Sequence, residues 1–309
     1  MSVVTVGETM ALLTVPADGL VRGTVPIGMG GAESNVAIGL SRLGVPATWI
    51  SRLGDDALGT LVRREIRAEG VTVLAEADPG APTGMMVKEL RYGVPHRVRY
   101  LRTGSAASRM TPGDVPPAVI AAARVLHLTG ITPALGPGPR ETVAHAIAAA
   151  RAAGTLVSFD VNHRRTLWSD DEARAVLTGL LSGVDLLFAG LEEASLLLGR
   201  PATEDDGAAL NPLGPATVVL KLGARGAVAH RGGTVVHAPS RPRAVVDAVG
   251  AGDAFVAGYL AELCQDGSIE DCLATANAAG GRVVTVPGDW EGLPTRADLH
   301  SACDGEVHR

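Results

Sequence analysis

Aromatic residues are scarce in this sequence, with three Phe, three Trp and three Tyr among 309 residues. Because proteins hold single-stranded nucleic acids largely by stacking bases on aromatic rings, so few rings argue against such a platform. Basic residues are also in the minority, 27 against 33 acidic ones, which gives a formal net charge of −6. This balance argues against binding to nucleic acid or to an acidic membrane through a basic surface.

Cysteine is equally rare. The three residues, Cys264, Cys272 and Cys303, form no Cys-x-x-Cys pair, which indicates neither a zinc knuckle nor a disulfide scaffold. The first basic residue, Arg22, comes after Glu8, so no basic start precedes an apolar segment, and no uncharged apolar run approaches the ~18 residues of a membrane span. We therefore expect a soluble cytoplasmic protein without a membrane partner.

The common phosphate-binding motifs are missing as well. The sequence contains no GxxxxGK[ST] and no GxGxxG, which argues against a P-loop enzyme and against a standard dinucleotide-binding enzyme. The HRD and DFG pair of protein kinases is also absent. If this chain handles phosphate groups, it does so with a different loop.

Hydrophobic residues nevertheless make up 46% of the chain, enough for a large core built from Ala, Leu and Val. Short apolar runs that suit buried strands alternate with Ala-rich helical stretches. The runs are at 3–7, 48–53, 125–129, 156–160, 185–189 and 217–221, and the helical stretches include 141–153, 251–265 and 269–282. This alternation predicts an α/β fold, a mostly parallel sheet with helices on both faces, and we expect residues 1–309 to form one domain.

Two segments, 10–27 and 83–102, break this alternation. They contain short extended pieces, turn residues and alternating charge, which predicts hairpins outside the main sheet. Both adjoin a glycine-rich loop in sequence or in the expected sheet order. We therefore expect them to form a lid over a site.

Two glycine-rich loops each open into a helix. After the first, Gly30-Gly31-Ala32-Glu33-Ser34-Asn35, apolar residues continue at helical spacing as far as Gly44. The second, Gly250-Ala251-Gly252-Asp253, follows an apolar strand end, so that consecutive backbone N–H groups could cradle an anion at the start of the helix. Asp253 could then either cap this helix or act as a general base that deprotonates an alcohol.

In this order, the two loops resemble the two signature regions of the ribokinase-like, or PfkB, carbohydrate kinase family, one on the sugar side and one on the phosphate side. The resemblance covers essentially the whole chain. Further stretches resemble 2-keto-3-deoxygluconate kinases most closely: Gly7-Glu8-Thr9-Met10, Gly104-Ser105-Ala106-Ala107-Ser108, Asp160-Val161-Asn162-His163-Arg164 and Gly288-Asp289-Trp290.

The resemblance implies a ribokinase-like three-layer sandwich with a small β lid. It also implies a Mg²⁺-dependent transfer of the γ-phosphoryl group of ATP to a primary hydroxyl of a sugar or sugar acid, with 2-keto-3-deoxygluconate as the leading acceptor. A fructokinase- or ribokinase-type sugar kinase, or a nucleoside kinase of the same fold, is the alternative. A non-catalytic sugar sensor is a weaker one, because a sensor has no need of the base Asp253.

The resemblance also assigns residues to each part of the site. On the sugar side, Gly30, Gly31 and Asn35 contact hydroxyls, and Arg102 and Arg164 face a carboxylate, which suits the paired hydrogen bonds of a guanidinium. At the transferring phosphate, Asp253 is the base and Gly250, Ala251 and Gly252 supply the amides of an anion hole. On the nucleotide side are Lys221, Gly223, Gly226, Gly250, Gly252 and Asn277.

Several of these assignments have structural alternatives. Arg102 could be a solvated charge on a strand, the turn at 223–226 could simply join a tight hairpin, and Asn277 could be a helix-surface residue. Glu193 is expected to organise Mg²⁺ through water, although Gly190 stands where the family has Asn. Whether a monovalent cation, K⁺, sits near the Asp247 loop is left open.

Three positions depart from the keto-deoxygluconate kinase pattern: Met86, Leu101 and His163 stand where aromatic residues are usual. Losing phenolic hydroxyls from a sugar pocket removes directional hydrogen bonds and adds apolar surface, so the exact acceptor stays open. Besides the sugar and ATP, we expect a second copy of the chain as partner, in a dimer or larger homo-oligomer, with residues 10–15 as an apolar contact face.

Overall fold

The computed structural model describes residues 2–16, 24–92, 94–241 and 243–300. Its strands are β1 (Val3–Val6), β2 (Met10–Pro16), β3 (Ile27–Gly30), β4 (Ala47–Gly54), β5 (Thr72–Asp78), β6 (Met85–Arg91), β7 (Val94–Leu101), β8 (Val125–Thr129), β9 (Leu156–Asp160), β10 (Leu186–Gly190), β11 (Thr217–Lys221), β12 (Ala227–Arg231) and β13 (Thr234–Ala238). Its α-helices are α1 (Ala32–Arg42), α2 (Ala57–Ala68), α3 (Pro117–Ala121), α4 (Pro137–Ala153), α5 (Asp170–Leu181), α6 (Leu191–Leu198), α7 (Ala251–Leu263), α8 (Ile269–Val283) and α9 (Arg296–His300).

The main sheet has nine strands in the order β13-β12-β11-β10-β9-β8-β1-β4-β5. From β11 to β5 every neighbouring pair is parallel, and only β12 and β13 run antiparallel to their neighbours. The apolar runs predicted as strands all lie in this sheet. The predicted α/β fold with a mostly parallel sheet is therefore confirmed.

Helices cover both faces of this sheet and create two apolar cores. Alternate residues of β1 point to opposite faces, Val3 into one core and Val4 and Val6 into the other. The first core packs against α1, α2, α7 and α8, and there Phe188 meets Phe255 and Tyr259 edge-on, with ring centroids 6.2 and 5.2 Å apart. The second core packs against α3, α4, α5 and α6. Two layers of helices around one sheet form the expected three-layer sandwich.

A second, four-stranded sheet has the order β3-β2-β6-β7. Strands β2, β6 and β7 come from the two segments predicted as hairpins outside the main sheet, whereas β3 begins at the last residue of the first segment and runs into the glycine-rich loop at Gly30. Residues 17–23 of the first segment lie outside the described residues. Strands β2 and β6 pair in parallel and join the two segments into one sheet. Met10, Leu12 and Met86 form a small apolar cluster on it. Its role as a lid, and the dimer face at 10–15, remain predictions.

No helix in the described ranges combines the length and apolarity needed to cross a membrane. Cys264 and Cys272 are buried free thiols, whereas Cys303 lies outside the described residues.

Candidate active site

The first glycine-rich loop ends where α1 begins, and its glycines allow very close packing. A Cβ atom on Gly30 would lie 2.3 Å from Oδ2 of Asp289 and 2.5 Å from Cε of Met86. A Cβ atom on Gly31 would lie 2.4 Å from the carbonyl oxygen of Glu8. Any larger residue would therefore push these neighbours apart.

The second loop begins α7 in the same way. Gly250 is the N-cap residue and has a φ of +78°, and a Cβ atom there would lie 1.9 Å from the carbonyl oxygen of Asp289. Both facts require glycine. The amides of Gly252 and Asp253 lie in the first turn, where the helix supplies no acceptors, so these groups can face an anion. The amide of Ala251 instead donates to the carbonyl oxygen of Ala248 at 3.4 Å.

These two loops, which are far apart in sequence, meet at one hydrogen bond. Asn35 Nδ2 in α1 donates to Oδ2 of Asp253 in α7 at 2.8 Å. Asn35 is buried, and its bond fixes the orientation of the Asp253 carboxylate. The residues predicted for the sugar side and for the phosphate side thus form one site.

The electrostatic environment of Asp253 suits a general base. Burial, reinforced by the neighbouring Asp160 carboxylate, raises the pKa of Asp253 to about 7. The Asn35 hydrogen bond and the Arg164 and Lys221 cations act in the opposite direction and limit this rise in pKa. A carboxylate with a pKa close to the working pH can take up a proton during turnover and release it again.

A cation lies next to Asp253. Lys221 Nζ, at the end of β11, contacts Oδ1 and Oδ2 of Asp160 at 2.6 and 2.8 Å, at the end of β9. Burial alone would lower the pKa of Lys221, but the Asp160 and Glu193 carboxylates outweigh it and raise that pKa above its ordinary value. Lys221 therefore stays positively charged. A Cβ atom on Gly252 would lie 3.9 Å from Lys221 Nζ, so this charge sits beside the anion-binding turn.

Glu193 lies in the first turn of α6 and caps the N-terminus of that helix. Its Oε2 accepts from the backbone N–H of Gly190 at 2.6 Å, and its Oε1 accepts from that of His163 at 2.9 Å. Gly190, which replaces the family's Asn, is thus the N-cap residue of α6, and its backbone N–H is bonded to the Glu193 carboxylate. The Glu193 carboxylate is kept in a fixed position at the same edge of the sheet as Asp160 and Lys221.

All these groups surround one cavity of about 710 Å³ between the main sheet and the small sheet. Of the predicted site residues, the cavity is lined by Gly30, Gly31, Asn35, Arg102, Arg164, Glu193, Lys221, Asp247, Gly250, Gly252 and Asp253. Such a concave, largely preformed pocket at the carboxyl ends of parallel strands is typical of a ligand site in an α/β protein.

Ala251 of the predicted anion hole and three residues predicted for the nucleotide side do not line this cavity. Gly223 and Gly226 belong to the tight connection between the antiparallel strands β11 and β12, and a Cβ atom on Gly226 would lie 2.1 Å from the carbonyl oxygen of Ala238. Asn277 donates through Nδ2 to that same carbonyl at 2.9 Å. The structure thus gives Gly226 and Asn277 packing roles, and a nucleotide contact for these residues stays a prediction.

The two predicted carboxylate-binding arginines differ in environment. Arg102 is buried and donates through Nε to Oε2 of Glu8 at 2.7 Å, while Ser105 donates to the other Glu8 oxygen at 2.5 Å. Arg164 is exposed at the cavity wall, and no ion pair holds its guanidinium within the described part of the chain. Because Arg102 is buried, the alternative that it is a solvated charge on a strand is wrong.

Six buried polar side chains of the cavity were not predicted from the sequence, and Asp160 and Asn162 are two of them. Glu8, Glu33, Lys88 and Asp289 also line the cavity and are all buried. Burial raises the pKa of Glu33, whose Oε1 accepts from two threonine hydroxyls at 2.7 and 2.8 Å. Glu8, Glu33 and Asp289 lie within the motifs quoted above, but their partners come from distant parts of the chain, which no local pattern reveals.

The expectation that all three missing aromatic residues affect the pocket is wrong. Met86 does line the cavity, but Leu101 is 57% exposed and does not. Side chains alternate along β7, so Tyr100 faces the cavity and Leu101 faces outward. His163 also lies outside the cavity lining and contributes its backbone N–H to Glu193. Only the change at Met86 alters the pocket wall.

The chain is similar in sequence to several known proteins. The family described as "pfkB family carbohydrate kinase" matches residues 1–296. A 2-dehydro-3-deoxygluconokinase of Bacillus subtilis is 37% identical over 308 residues, covering 97% of this chain and 95% of the relative. A 2-dehydro-3-deoxygalactonokinase of Haloferax volcanii is 36% identical, covering 93% and 92%. A fructokinase of Klebsiella pneumoniae is 34% identical, covering 87% and 90%.

Solved structures show the same fold. A PfkB protein from Polaromonas sp. JS666 matches with a TM-score of 0.88 and 35% identity, covering 98% of this chain and 100% of that one. An E. coli protein named as a ribokinase II, in complex with ATP and Mg²⁺, matches with a TM-score of 0.87 and 25% identity, covering 96% and 97%. A Vibrio cholerae fructokinase double mutant bound to fructose, ADP and potassium ion matches with a TM-score of 0.84 and 28% identity, covering 97% of each chain.

Proposed function

This chain belongs to the pfkB family of carbohydrate kinases, and we propose that it transfers the γ-phosphoryl group of ATP to a primary hydroxyl of 2-keto-3-deoxygluconate. The observation that carries this choice of acceptor is Arg164, an exposed guanidinium at the wall of the cavity whose charge acts on Asp253 but which forms no direct ion pair with a carboxylate of the described residues. A sugar acid would supply that carboxylate, whereas a neutral sugar would not. The 2-dehydro-3-deoxygluconokinase relative supports the same choice.

In this proposal Asp253 is the general base. The Asn35 hydrogen bond holds its carboxylate at the junction of the sugar loop and the phosphate loop. The acceptor hydroxyl donates its proton to Asp253 as its oxygen attacks the γ-phosphorus, and the bond from that phosphorus to the bridging oxygen breaks. The pKa of about 7 for Asp253 lets it take this proton and release it before the next turnover.

Negative charge on the transferring group is stabilised by the first turn of α7. The amides of Gly252 and Asp253 lie at the N-terminus of this helix, and the Lys221 ammonium lies beside Gly252. These groups are already in place before the reaction, which is what makes electrostatic stabilisation effective. The small sheet would exclude water as a lid, which prevents hydrolysis of ATP.

ATP and Mg²⁺ are proposed from a structural neighbour that binds both. The described residues contain no group of three or more His, Cys, Asp or Glu that could hold a metal ion by themselves. A Mg²⁺ ion held mainly by nucleotide phosphates and water fits this arrangement, because Mg²⁺ usually keeps several waters. The fixed Glu193 carboxylate would accept hydrogen bonds from those waters. Mg²⁺ would neutralise phosphate charge there.

A fructokinase neighbour carries a potassium ion, and Asp247 was the residue expected to lie near such an ion. The Asp247 carboxylate is already engaged by other groups. It accepts from Lys88 Nζ at 2.7 Å, from Val249 N at 3.1 Å and from Gly288 N at 3.3 Å. The side chain of Asp247 thus already accepts from three donors, and a monovalent cation near its loop stays a prediction.

A neutral ketose is the second candidate acceptor, because fructokinases are also among the relatives. The experiment that decides between them is ADP release from ATP and Mg²⁺ with 2-keto-3-deoxygluconate, its galacto epimer, fructose, ribose and adenosine. We expect selective turnover of a keto-deoxy acid. Turnover of fructose or ribose alone would keep the carbohydrate kinase and refute the sugar-acid acceptor.

A further inference from the structure

Lys88 is a buried cation that belongs to the small sheet and is bonded to residues outside it. Its side chain is only 5% exposed. Its Nζ lies 2.7 Å from Oδ2 of Asp247 and 3.3 Å from Oδ1 of Asp289. Strand β6 carries the lysine, whereas the two carboxylates lie in the segments just before α7 and just after α8. One ammonium group therefore joins three distant parts of the chain.

This ammonium stays charged. Burial alone would lower the pKa of Lys88, but the bonds to Asp247 and Asp289 outweigh it and raise that pKa. Burial raises the pKa of Asp289, although the Lys88 cation acts to lower it. Removing a buried cation from two buried carboxylates is strongly unfavourable. The three groups thus depend on each other for their charge and their position.

The partners of Lys88 hold the anion-binding turn on both sides. Asp247 also accepts from the backbone N–H groups of Val249 and Gly288, which ties the residues before the turn to those after α8. The carbonyl of Asp289 packs directly on Gly250, where even a Cβ atom would overlap it. A shift of either carboxylate would therefore move the backbone of the turn.

We propose that Lys88 is a positioning residue for phosphoryl transfer, which couples the placement of the small sheet to the geometry of the anion-binding turn at 250–252. Lys88 acts through Asp247 and Asp289 and not through the acceptor. The ion pairs form only when the small sheet lies over the cavity, so the turn reaches its final geometry only in that state. This inference rests on the phosphoryl-transfer function proposed above, but not on which sugar is the acceptor.

The direct test is Lys88→Met, which keeps the length of the side chain and removes the charge. Hydrogen–deuterium exchange of the backbone amides can be measured without substrate. We expect peptides covering 245–253 and 286–290 to exchange faster in Lys88→Met than in the wild type. We also expect kcat per folded molecule to fall roughly 10–100-fold, because small misplacements of catalytic groups have effects of that size. Lys88→Arg keeps the charge and should restore both the exchange rates and most of kcat.

Arg99→Met is the matched control, because it removes a cation of the same sheet from a solvent-exposed pair with Glu89. It should leave both measurements within about twofold of the wild type, since such pairs contribute little. Wild-type exchange and wild-type kcat in Lys88→Met would refute the proposal. A lower melting temperature with normal kcat would also refute it, because it would show a purely structural role.

A double-mutant cycle with Asp247→Asn tests the route of the effect. If Lys88 acts through Asp247, the double variant should have about the same kcat as the worse single variant. If the fold losses in kcat of the two single variants multiply in the double variant, the effect of Lys88 does not pass through Asp247. Should Lys88→Met not fold, the double variant keeps the net charge of the cluster and can be compared with Asp247→Asn. Because Lys88 still contacts Asp289 in Asp247→Asn, we expect the double variant to have a lower kcat and faster exchange at 286–290, and equal values in the two variants would refute the proposal. If the wild type phosphorylates none of the sugars, the proposed acceptor fails, while the exchange experiment still tests Lys88.

Discussion

Replacing Asp253 by Asn removes the charge of the proposed base and keeps the size of its side chain. The amide oxygen of the variant can still accept the hydrogen bond that Asn35 donates at 2.8 Å, so the junction of α1 and α7 should survive. General-base catalysis contributes about 10²–10⁴-fold to a rate. We therefore expect kcat to fall by that factor, which corresponds to about 3–5 kcal/mol of activation free energy.

The same substitution should change stability in a pH-dependent way. The carboxyl of Asp253 ionises near 3.8 when unfolded and at about 7 when folded. Between these values the folded state binds more protons than the unfolded one, so the wild type loses stability as pH rises from about 4 to about 7. The loss is at most about 4 kcal/mol. Asn cannot ionise, so the Asp253→Asn variant should lack this contribution to the fall in stability with rising pH.

Urea unfolding of both proteins at pH 4.5 and pH 8, with kcat measured at pH 8, checks the two expectations together. At pH 8 the variant should unfold at a higher urea concentration than the wild type, and the difference should shrink at pH 4.5. A variant that keeps kcat would refute the role of Asp253 as base. A stability difference that does not change with pH would refute the raised pKa.

Three further outcomes follow from the site. Gly250→Ala should abolish most activity, because it places a Cβ atom at positive φ against the carbonyl of Asp289, and a circular dichroism spectrum should show whether the fold survives. The wild-type kcat/KM should rise with pH to a plateau, with its midpoint at about 7 set by Asp253, and a pH–rate profile checks this. Met86→Tyr should change KM for the acceptor, whereas Leu101→Tyr should leave it unchanged because Leu101 faces outward; steady-state kinetics compares the two.

The main elements of the fold could be read from the sequence because their signals are local. Each apolar run predicts a strand, and each of the two glycine-rich loops predicts the start of a helix, from residues within a stretch of about ten. The meeting of Asn35 with Asp253 could be anticipated only from the family resemblance, because no local pattern brings residues together over such a sequence distance.

The cavity wall was less predictable for the same reason. Lys88 is bonded to Asp247 and Asp289, and Arg102 to Glu8, and each of these pairs joins separate segments of the chain. On the sequence, the lysine and the arginine look like two of many charges on exposed strands. The outward direction of Leu101, in contrast, follows from the two-residue alternation of β7 and could have been predicted.

If Arg164 selects a sugar acid, its loss should weaken turnover of the acid much more than turnover of a neutral sugar. The most direct test is the ratio of kcat/KM for 2-keto-3-deoxygluconate over that for fructose, in the wild type and in Arg164→Gln. A hydrogen bond to a charged group contributes about 1.5–3 kcal/mol, so the variant should lose roughly 10–100-fold with the acid and little with fructose. A wild type that prefers fructose, or a variant whose kcat/KM falls equally with both sugars, would contradict the role of Arg164 in selecting a sugar acid.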